Sequence, residues 1–347
     1  MSISSQTVIN YSKIRAKTET PARLASGFPL SYNTPVDHSR AFREALTERF
    51  GDAFSVSVPL SAMSSFEIGG PADFFYEARS LDDLLAAVAL AVKEKTPYYV
   101  IGGGSNMLFD DRGFRGLVIR NRAEGATVGE GRLRVLAGTS LSALLRAALK
   151  AGLTGLEFLA GIPGTLGGAV AGNAGAFGRC LGDVLETADI LGPDGARRTL
   201  SRGDLHFGYR HSALREGGGI ILEAVLMSSP GDRKASEALM RGFLEKRREK
   251  HPPWGTACAG SYFKNPCSTG GEKVAAGRLL EEVGARGVSV GGAAVYEKHC
   301  NFIINKGGAT SRDVLLLARE LKERVLARFG VRLEEEVIHL PADARAA

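Results

Sequence analysis

Gly102-Gly103-Gly104-Ser105-Asn106, met directly after the apolar run 98–101, is the segment from which the rest of this chain can be understood. A strand that empties into three glycines leaves consecutive backbone N–H groups free to turn toward an anion, because no Cβ stands in the way. The segment is not a Walker A loop, since no Gly-Lys-Ser/Thr follows. It is not the G-x-G-x-x-G dinucleotide fingerprint either, since Met107 occupies the last glycine position. Taken alone it reads equally well as a tight turn. A second stretch, GLTGLEFLAGIPGTLGGAVAGNAGAFG at 152–178, changes that balance. It contains Gly161-Ile162-Pro163-Gly164, Gly167-Gly168 and Asn173-Ala174-Gly175. Two backbone-donor loops in one domain suit an extended ligand with a pyrophosphate and a flat ring, such as a flavin dinucleotide. The plainer alternative is a set of glycines packed between strands.

Outward from these loops the periodicity switches between helix and strand. Ser80 with Asp83 forms a capping-box pattern ahead of a helix over 81–95, whose apolar face is Leu84, Leu85, Val88 and Val92. The run 98–101 predicts a buried strand, and 117–120 and 133–137 predict two more. A second helix starts at Ser140, with Leu141, Leu144, Leu145 and Leu149 on one side and Gly152 at its end. Strands flank the Gly192-Pro193-Asp194-Gly195 turn within 184–200, and another covers 220–227. Ser228-Ser229-Pro230-Gly231 is the expected domain boundary. Beyond it, helices are expected over 234–250, 273–283 and 310–329, the last with Leu315, Leu316, Leu321, Val325 and Phe329 on its buried side and Gly330 closing it. A final strand is expected over 333–340. The predicted class is α+β: an extension over 1–40 that is mobile or loosely docked, subdomains over 41–122 and 123–229, and a smaller domain over 230–341.

The 347 residues are 44% apolar and 24% charged, a globular balance. Glycine, at 44 residues, is nearly double the usual share of about 7%. The net charge of +6 and pI of about 9.2 hint at an anionic partner, but half of the excess lies within 1–40. No basic run with interleaved aromatics follows, so nucleic acid is not expected. No apolar run approaches the roughly 20 residues needed to span a bilayer, and no apolar segment follows the first basic residues. A soluble, cytoplasmic protein without membrane contact is therefore expected. The four cysteines form no C-x-x-C pair, and the six histidines no H-x-x-x-H or H-E-x-x-H pattern, so neither a disulfide framework nor a metal site is expected.

Three segments carry candidate reactive groups. Tyr209-Arg210-His211-Ser212 sets an arginine among apolar and aromatic neighbours. Gly260-Ser261-Tyr262-Phe263-Lys264-Asn265-Pro266 is dense in polar groups. Ser261 has no His/Asp partner nearby and no nucleophile-elbow spacing, so it suits a proton donor better than a nucleophile. Glu334-Glu335-Glu336 is either a solvated charge run or, in a strand, a segment that turns Glu334 and Glu336 to one face and Glu335 to the other.

Seven motifs occur in one order: Ile68-Gly69-Gly70-Pro71-Ala72, Gly102-Gly103-Gly104-Ser105-Asn106, GIPGTLGGAV with NAGAFG, Tyr209-Arg210-x-Ser212, GSYFKNP, Lys298-His299-x-Asn301-Phe302-Ile303-Ile304-Asn305, and Leu333-Glu334-x-Glu336-Val337. Together they closely resemble the UDP-N-acetylenolpyruvoylglucosamine reductase family of flavoenzymes, over about residues 50–340. The resemblance implies an FAD-binding region of the vanillyl-alcohol-oxidase (PCMH) type in two subdomains, followed by a substrate domain. It implies FAD held non-covalently, NADPH as hydride donor and reduction of an enolpyruvyl sugar nucleotide to UDP-N-acetylmuramate for peptidoglycan. By residue, it implies Arg210 and Glu336 stabilising an enolate and Ser261 supplying a proton. Tyr209, Lys250, Asn265 and His299 are implied as substrate contacts. The cofactor cradle is expected from Gly102, Gly103, Gly104, Ser105, Asn106 and Met107 with Gly161, Ile162, Pro163, Gly164, Gly168, Asn173 and Gly175. The chain departs from the family at His251-Pro252, where Gln-Pro is common, at Glu67, where a basic residue is common, and by extra residues at 268–272. The short interval from Arg210 to Ser261 resembles the type II class, which lacks an extra tyrosine-bearing loop. A monomer is expected. The rival readings are another flavoprotein oxidoreductase of the same fold and a non-catalytic binding homologue.

Overall fold

In the computed structural model, residues 35–129, 131–217, 219–267 and 273–343 are described. The extension at 1–34 and the extra residues at 268–272 lie outside them. Order begins earlier than Ala41: a helix spans Pro35–Phe50 and buries Phe42 and Leu46. Its Phe42 ring meets Phe74 edge-on at 5.2 Å between centroids, which ties the helix to the first sheet.

That sheet has the strand order Phe54–Pro59, Pro71–Ala78, Phe114–Asn121 and Tyr98–Ile101. The first pair is antiparallel and the other two pairings are parallel. Tyr98–Ile101 is therefore an edge strand rather than the expected buried one, and Ile101 alone of its four residues is buried. Behind the sheet lies the helix Leu81–Lys93, started by the expected Ser80–Asp83 capping box. Its inward face is Leu84, Ala87, Val88 and Ala91, whereas Val92 is exposed. The alanines let the helix approach the sheet closely, and the inward stripe rotates to include them.

The second sheet is wholly antiparallel, in the order Arg197–Ser201, Leu185–Leu191, Ile220–Met227, Arg132–Leu136 and Ala126–Gly129. The helix Leu141–Lys150 and the glycine-dense segment cover it and share one core with it. The helix Arg233–Lys250 lies against this same core through Met240 and Leu244, and Ser236 donates a 2.6 Å hydrogen bond to buried Glu157. The chain thus leaves the second core after Lys250, not at the polar turn 228–231.

The third core gathers around the antiparallel strands Cys258–Ser261, Phe302–Asn305, Ala293–Val295 and Ser289–Val290. Against it pack the short helix Ala276–Glu282, narrower than the expected 273–283, and the long helix Ser311–Phe329. The long helix buries Val314, Leu317, Ala318, Leu321, Val325 and Phe329, while Leu316 faces solvent.

The last strand differs from its expectation. Only Ile338–Leu340 is extended and paired, and it runs parallel to Met107–Phe109 just past the glycine loop. Residues 333–337 form no regular strand, although Glu335 makes a single bridge to Phe263. The segment 333–340 therefore crosses from the third core, which holds Leu333 and Val337, to the core around Met107 and Phe109, which holds Leu340.

Candidate active site

The two glycine-rich loops meet. Ser105 Oγ donates to the Pro163 carbonyl at 3.1 Å, and a Cβ built on Gly102 would lie 2.2 Å from Thr165 Oγ1. Gly104 turns at φ +63°, where a Cβ would stand 1.8 Å from the Met63 carbonyl oxygen. Among the described residues, the backbone N–H groups of 102–106 and of Gly161, Gly164 and Thr165 find no protein acceptor. Such a run of donors, outside any ladder, is the geometry that binds a pyrophosphate. A flavin dinucleotide fits these residues on that ground. Ile162 packs partly into the second core, and Gly168 lies in the first turn of the short helix Leu166–Ala171.

Several cradle candidates have structural duties as well. Met107 is buried in the first domain's core, so it offers a cofactor only its backbone. Asn106 Nδ2 donates to the Glu336 carbonyl at 3.1 Å, and the Asn106 carbonyl accepts from Ile338 N–H at 3.0 Å. Asn173, buried at φ +42°, donates to the Gly208 carbonyl at 2.7 Å and accepts from Gly182 N–H at 2.9 Å. Its side chain is thereby spent on the protein. Its effect is to pin the turn that carries Arg210.

Arg210 is held from several directions. The fully buried Ser212 hydroxyl donates to the Ala171 carbonyl at 2.7 Å, which anchors the turn on the helix Leu166–Ala171. Arg210 itself sits at φ +54°, a left-handed conformation costing a non-glycine residue about 1–2 kcal/mol. Its Nη2 donates to the Gly175 carbonyl at 2.9 Å, and its Nε donates to Glu336 Oε1 at 2.6 Å. Burial pushes the Glu336 carboxyl above the usual carboxylate range, against the pull of Arg210, Arg215 and Lys264.

Residues 334–336 run beside 262–264. Glu336 N–H donates to the Tyr262 carbonyl and Lys264 N–H to the Glu334 carbonyl, both at 2.8 Å. Ser261 consequently lies one residue from the backbone contact of Glu336. Its hydroxyl makes no hydrogen bond among the described residues. The backbones of Ser261 and Glu336 adjoin and Glu336 holds Arg210, while the two outer glutamates lie toward the same Lys264 but at different depths. Glu334 is 76% exposed and faces Lys264 at 3.4 Å, whereas the Glu336 side chain is 16% exposed. Glu335 turns to Lys322 of the long helix at 3.2 Å.

Of the implied substrate contacts, Tyr209 and Asn265 adjoin: Asn265 N–H donates to the Tyr209 hydroxyl at 3.3 Å, and the Asn265 carboxamide oxygen accepts from Ala276 N–H. Lys273 Nζ stands 3.8 Å above the Tyr209 ring. Lys250, exposed at the end of its helix, sets its charge near His299. The His251 and His299 rings lie edge to face at 5.8 Å, and both contact Phe302. Burial, Arg247 and His299 pull His251 down to about 4, and burial also lowers His299. Arg247 donates to the Ala160 carbonyl at 3.1 Å; burial and the Arg210 charge lower it, and its own charge helps to pull His251 down. Arg215 and Arg247 escape sequence reading, because an arginine in a charged segment resembles any solvated one. Only the folded chain shows them turned inward.

Two glycine loops offering free N–H donors, joined to a cationic site that buries one carboxylate, suit a protein that binds a pyrophosphate-bearing cofactor beside a charged reaction site. Comparison with known proteins agrees. An FAD binding domain model matches residues 72–201, and the C-terminal domain of UDP-N-acetylenolpyruvoylglucosamine reductase matches 252–340. The reductase of that name from Geotalea uraniireducens is 43% identical over 80% of this chain and 91% of its own length. Its counterpart from Moorella thermoacetica is 43% identical over 80% and 90%. A crystal structure of the Thermus caldophilus reductase superposes with a TM-score of 0.70 at 35% identity, covering 83% of this chain and all of that one. The chain belongs to the UDP-N-acetylenolpyruvoylglucosamine reductase family.

Proposed function

We propose that this enzyme reduces the enolpyruvyl ether of UDP-N-acetylglucosamine to UDP-N-acetylmuramate, a peptidoglycan precursor, with NADPH as the reductant. FAD, when bound, would supply a carrier of hydride between the two substrates. The backbone of 102–106 and of 161–165 would hold its pyrophosphate. The substrate's double bond gains a hydride on one carbon and a proton on its neighbour, so charge develops on the adjacent carboxylate as an enolate. The guanidinium of Arg210 stabilises that charge. Glu336 fixes the guanidinium by its 2.6 Å contact and so contributes to stabilising the enolate through Arg210. Ser261 delivers the proton; a serine hydroxyl is a weak acid, so it acts through placement against a strongly basic carbon. Tyr209, Lys250, Asn265 and His299 contact the substrate. Lys273, above the Tyr209 ring, adds positive charge on the same side.

The Arg210–Glu336 pair, joined across the cores and flanked by Ser261, is the observation that supports this reading most directly. We place the unit boundaries near residues 122 and 250 and expect a cytoplasmic monomer serving cell-wall growth and division. No helix among the described residues is long and apolar enough to cross a membrane. The test is to reconstitute the protein with FAD, supply NADPH and the enolpyruvyl sugar nucleotide, and identify the product by mass. A product carrying two added hydrogens is expected. NADPH consumption without that product would refute the assignment.

A further inference from the structure

Neither residue of the Arg210–Glu336 pair belongs to a regular strand or helix, so each backbone is held by isolated contacts, such as that of Glu336 N–H with the Tyr262 carbonyl, and not by a continuous ladder. One side chain reaches both. Arg215 Nη1 donates to the Arg210 carbonyl at 3.0 Å, and Arg215 Nη2 donates to the Glu336 carbonyl at 2.8 Å. The Glu336 carbonyl takes its second donor, at 3.1 Å, from Asn106 at the end of the glycine loop. We infer that Arg215 is a positioning residue for the reductase: its planar fork sets the spacing between Arg210 and Glu336 and registers the pair against the loop that would hold the flavin. The inference rests on the roles proposed above for those two residues.

The chemistry suits arginine and not lysine. Two N–H groups in a fixed plane can bond two separate carbonyls at once, whereas an ammonium gives a point charge without that geometry. Arg210 needs such support, because its left-handed backbone would relax if its carbonyl were released. Arg215 adds a positive charge facing the Glu336 carboxyl beside those of Arg210 and Lys264, so it also holds that carboxyl toward its ionised form.

The test uses full-length enzyme loaded with FAD and follows each half-reaction by stopped flow in Arg215→Gln and Arg215→Lys. Bleaching of the flavin by NADPH should stay within about twofold of wild type, and flavin content should be unchanged. Reoxidation by saturating enolpyruvyl substrate should slow by about tenfold or more in Arg215→Gln, and less in Arg215→Lys, which keeps the charge. The acid limb of reoxidation should move to higher pH in Arg215→Gln, a change that a merely structural residue would not cause. If Arg215→Gln does not fold, the same split in Arg215→Lys decides. Normal reoxidation, or an equal fall in both half-reactions, or loss of flavin, would overturn the inference. A wild-type enzyme that this substrate cannot reoxidise would sink the functional reading, and this inference with it.

Discussion

Arg210 Nε and Glu336 Oε1 lie 2.6 Å apart across 126 residues of sequence, and the contact joins the turn after the second glycine loop to the tail of the chain. Both side chains are largely buried, at 24% and 16% exposure. A buried pair of this kind loses heavily when one partner is removed, because the other charge is left unpaired.

Glu336→Gln should therefore cut the substrate half-reaction sharply while the protein still binds FAD. Glu335→Gln loses only a half-exposed contact with Lys322, so stability should change by less than about 0.5–1 kcal/mol and turnover hardly at all. Glu334→Gln should also be near normal, because that side chain points to solvent. Steady-state turnover of the three variants, with urea unfolding beside it, checks the order. Equal turnover in all three would return 334–336 to a solvated charge run.

Ser261→Ala should leave flavin reduction by NADPH intact and slow reoxidation by the enolpyruvyl substrate by about 10²–10⁴-fold, the usual worth of a general acid. Solvent deuterium should slow the same step in the wild type. A loss shared by both half-reactions would assign Ser261 to folding or flavin binding instead.

The glycine loop offers backbone donors and no bonding side chain, so FAD should come away from the protein on acid denaturation. Absorbance of the supernatant after precipitation measures it. Yellow colour retained in the washed pellet would show a covalent link, with Cys180 beside the second loop as the first suspect.

Gly104→Ala places a methyl 1.8 Å from the Met63 carbonyl at a left-handed φ, so it should cost at least about 2 kcal/mol and lower flavin content. Gly242→Ala is the contrasting case. It lies inside the helix Arg233–Lys250 with open space around its Cβ, and should stabilise by about 0.5–1 kcal/mol. Chemical denaturation of both variants is the measurement, and a Gly104→Ala protein as stable as wild type would contradict the packing.

His251 titrates near 4 in the folded chain against about 6.5 when unfolded. Between those values the unfolded chain holds the extra proton, so stability is full above about pH 6.5 and falls as pH drops toward 4. His299 adds to the same slope, since its value is lowered too. Melting temperature measured against pH should flatten in that window in His251→Gln. An unchanged slope would mean that the imidazole is more open to water than its packing on Phe302 implies.

The amino-acid sequence alone determined the helix starts at Ser80, Ser140 and Thr310, because a side-chain cap and its partner three residues on are local chemistry. It also determined the two glycine loops, since freedom from Cβ is written in residue identity. The order of seven motifs carried the family. Tertiary structure alone decided where those pieces point. Strand alternation predicted that Glu334 and Glu336 share a face opposite Glu335, and Lys264 does lie toward both while Glu335 turns to Lys322. Their depth, 76% against 16% exposure, was set by the surrounding cores and not by the alternation. The inward stripe of the helix Leu81–Lys93 includes Ala87 and Ala91 instead of Val92, because close approach to a sheet rewards small side chains as much as apolar ones. Arg215 and Arg247 owe their places to carbonyls supplied by segments distant in sequence, Glu336 for the one and Ala160 for the other. No spacing rule within a segment can encode a partner that folding alone brings near.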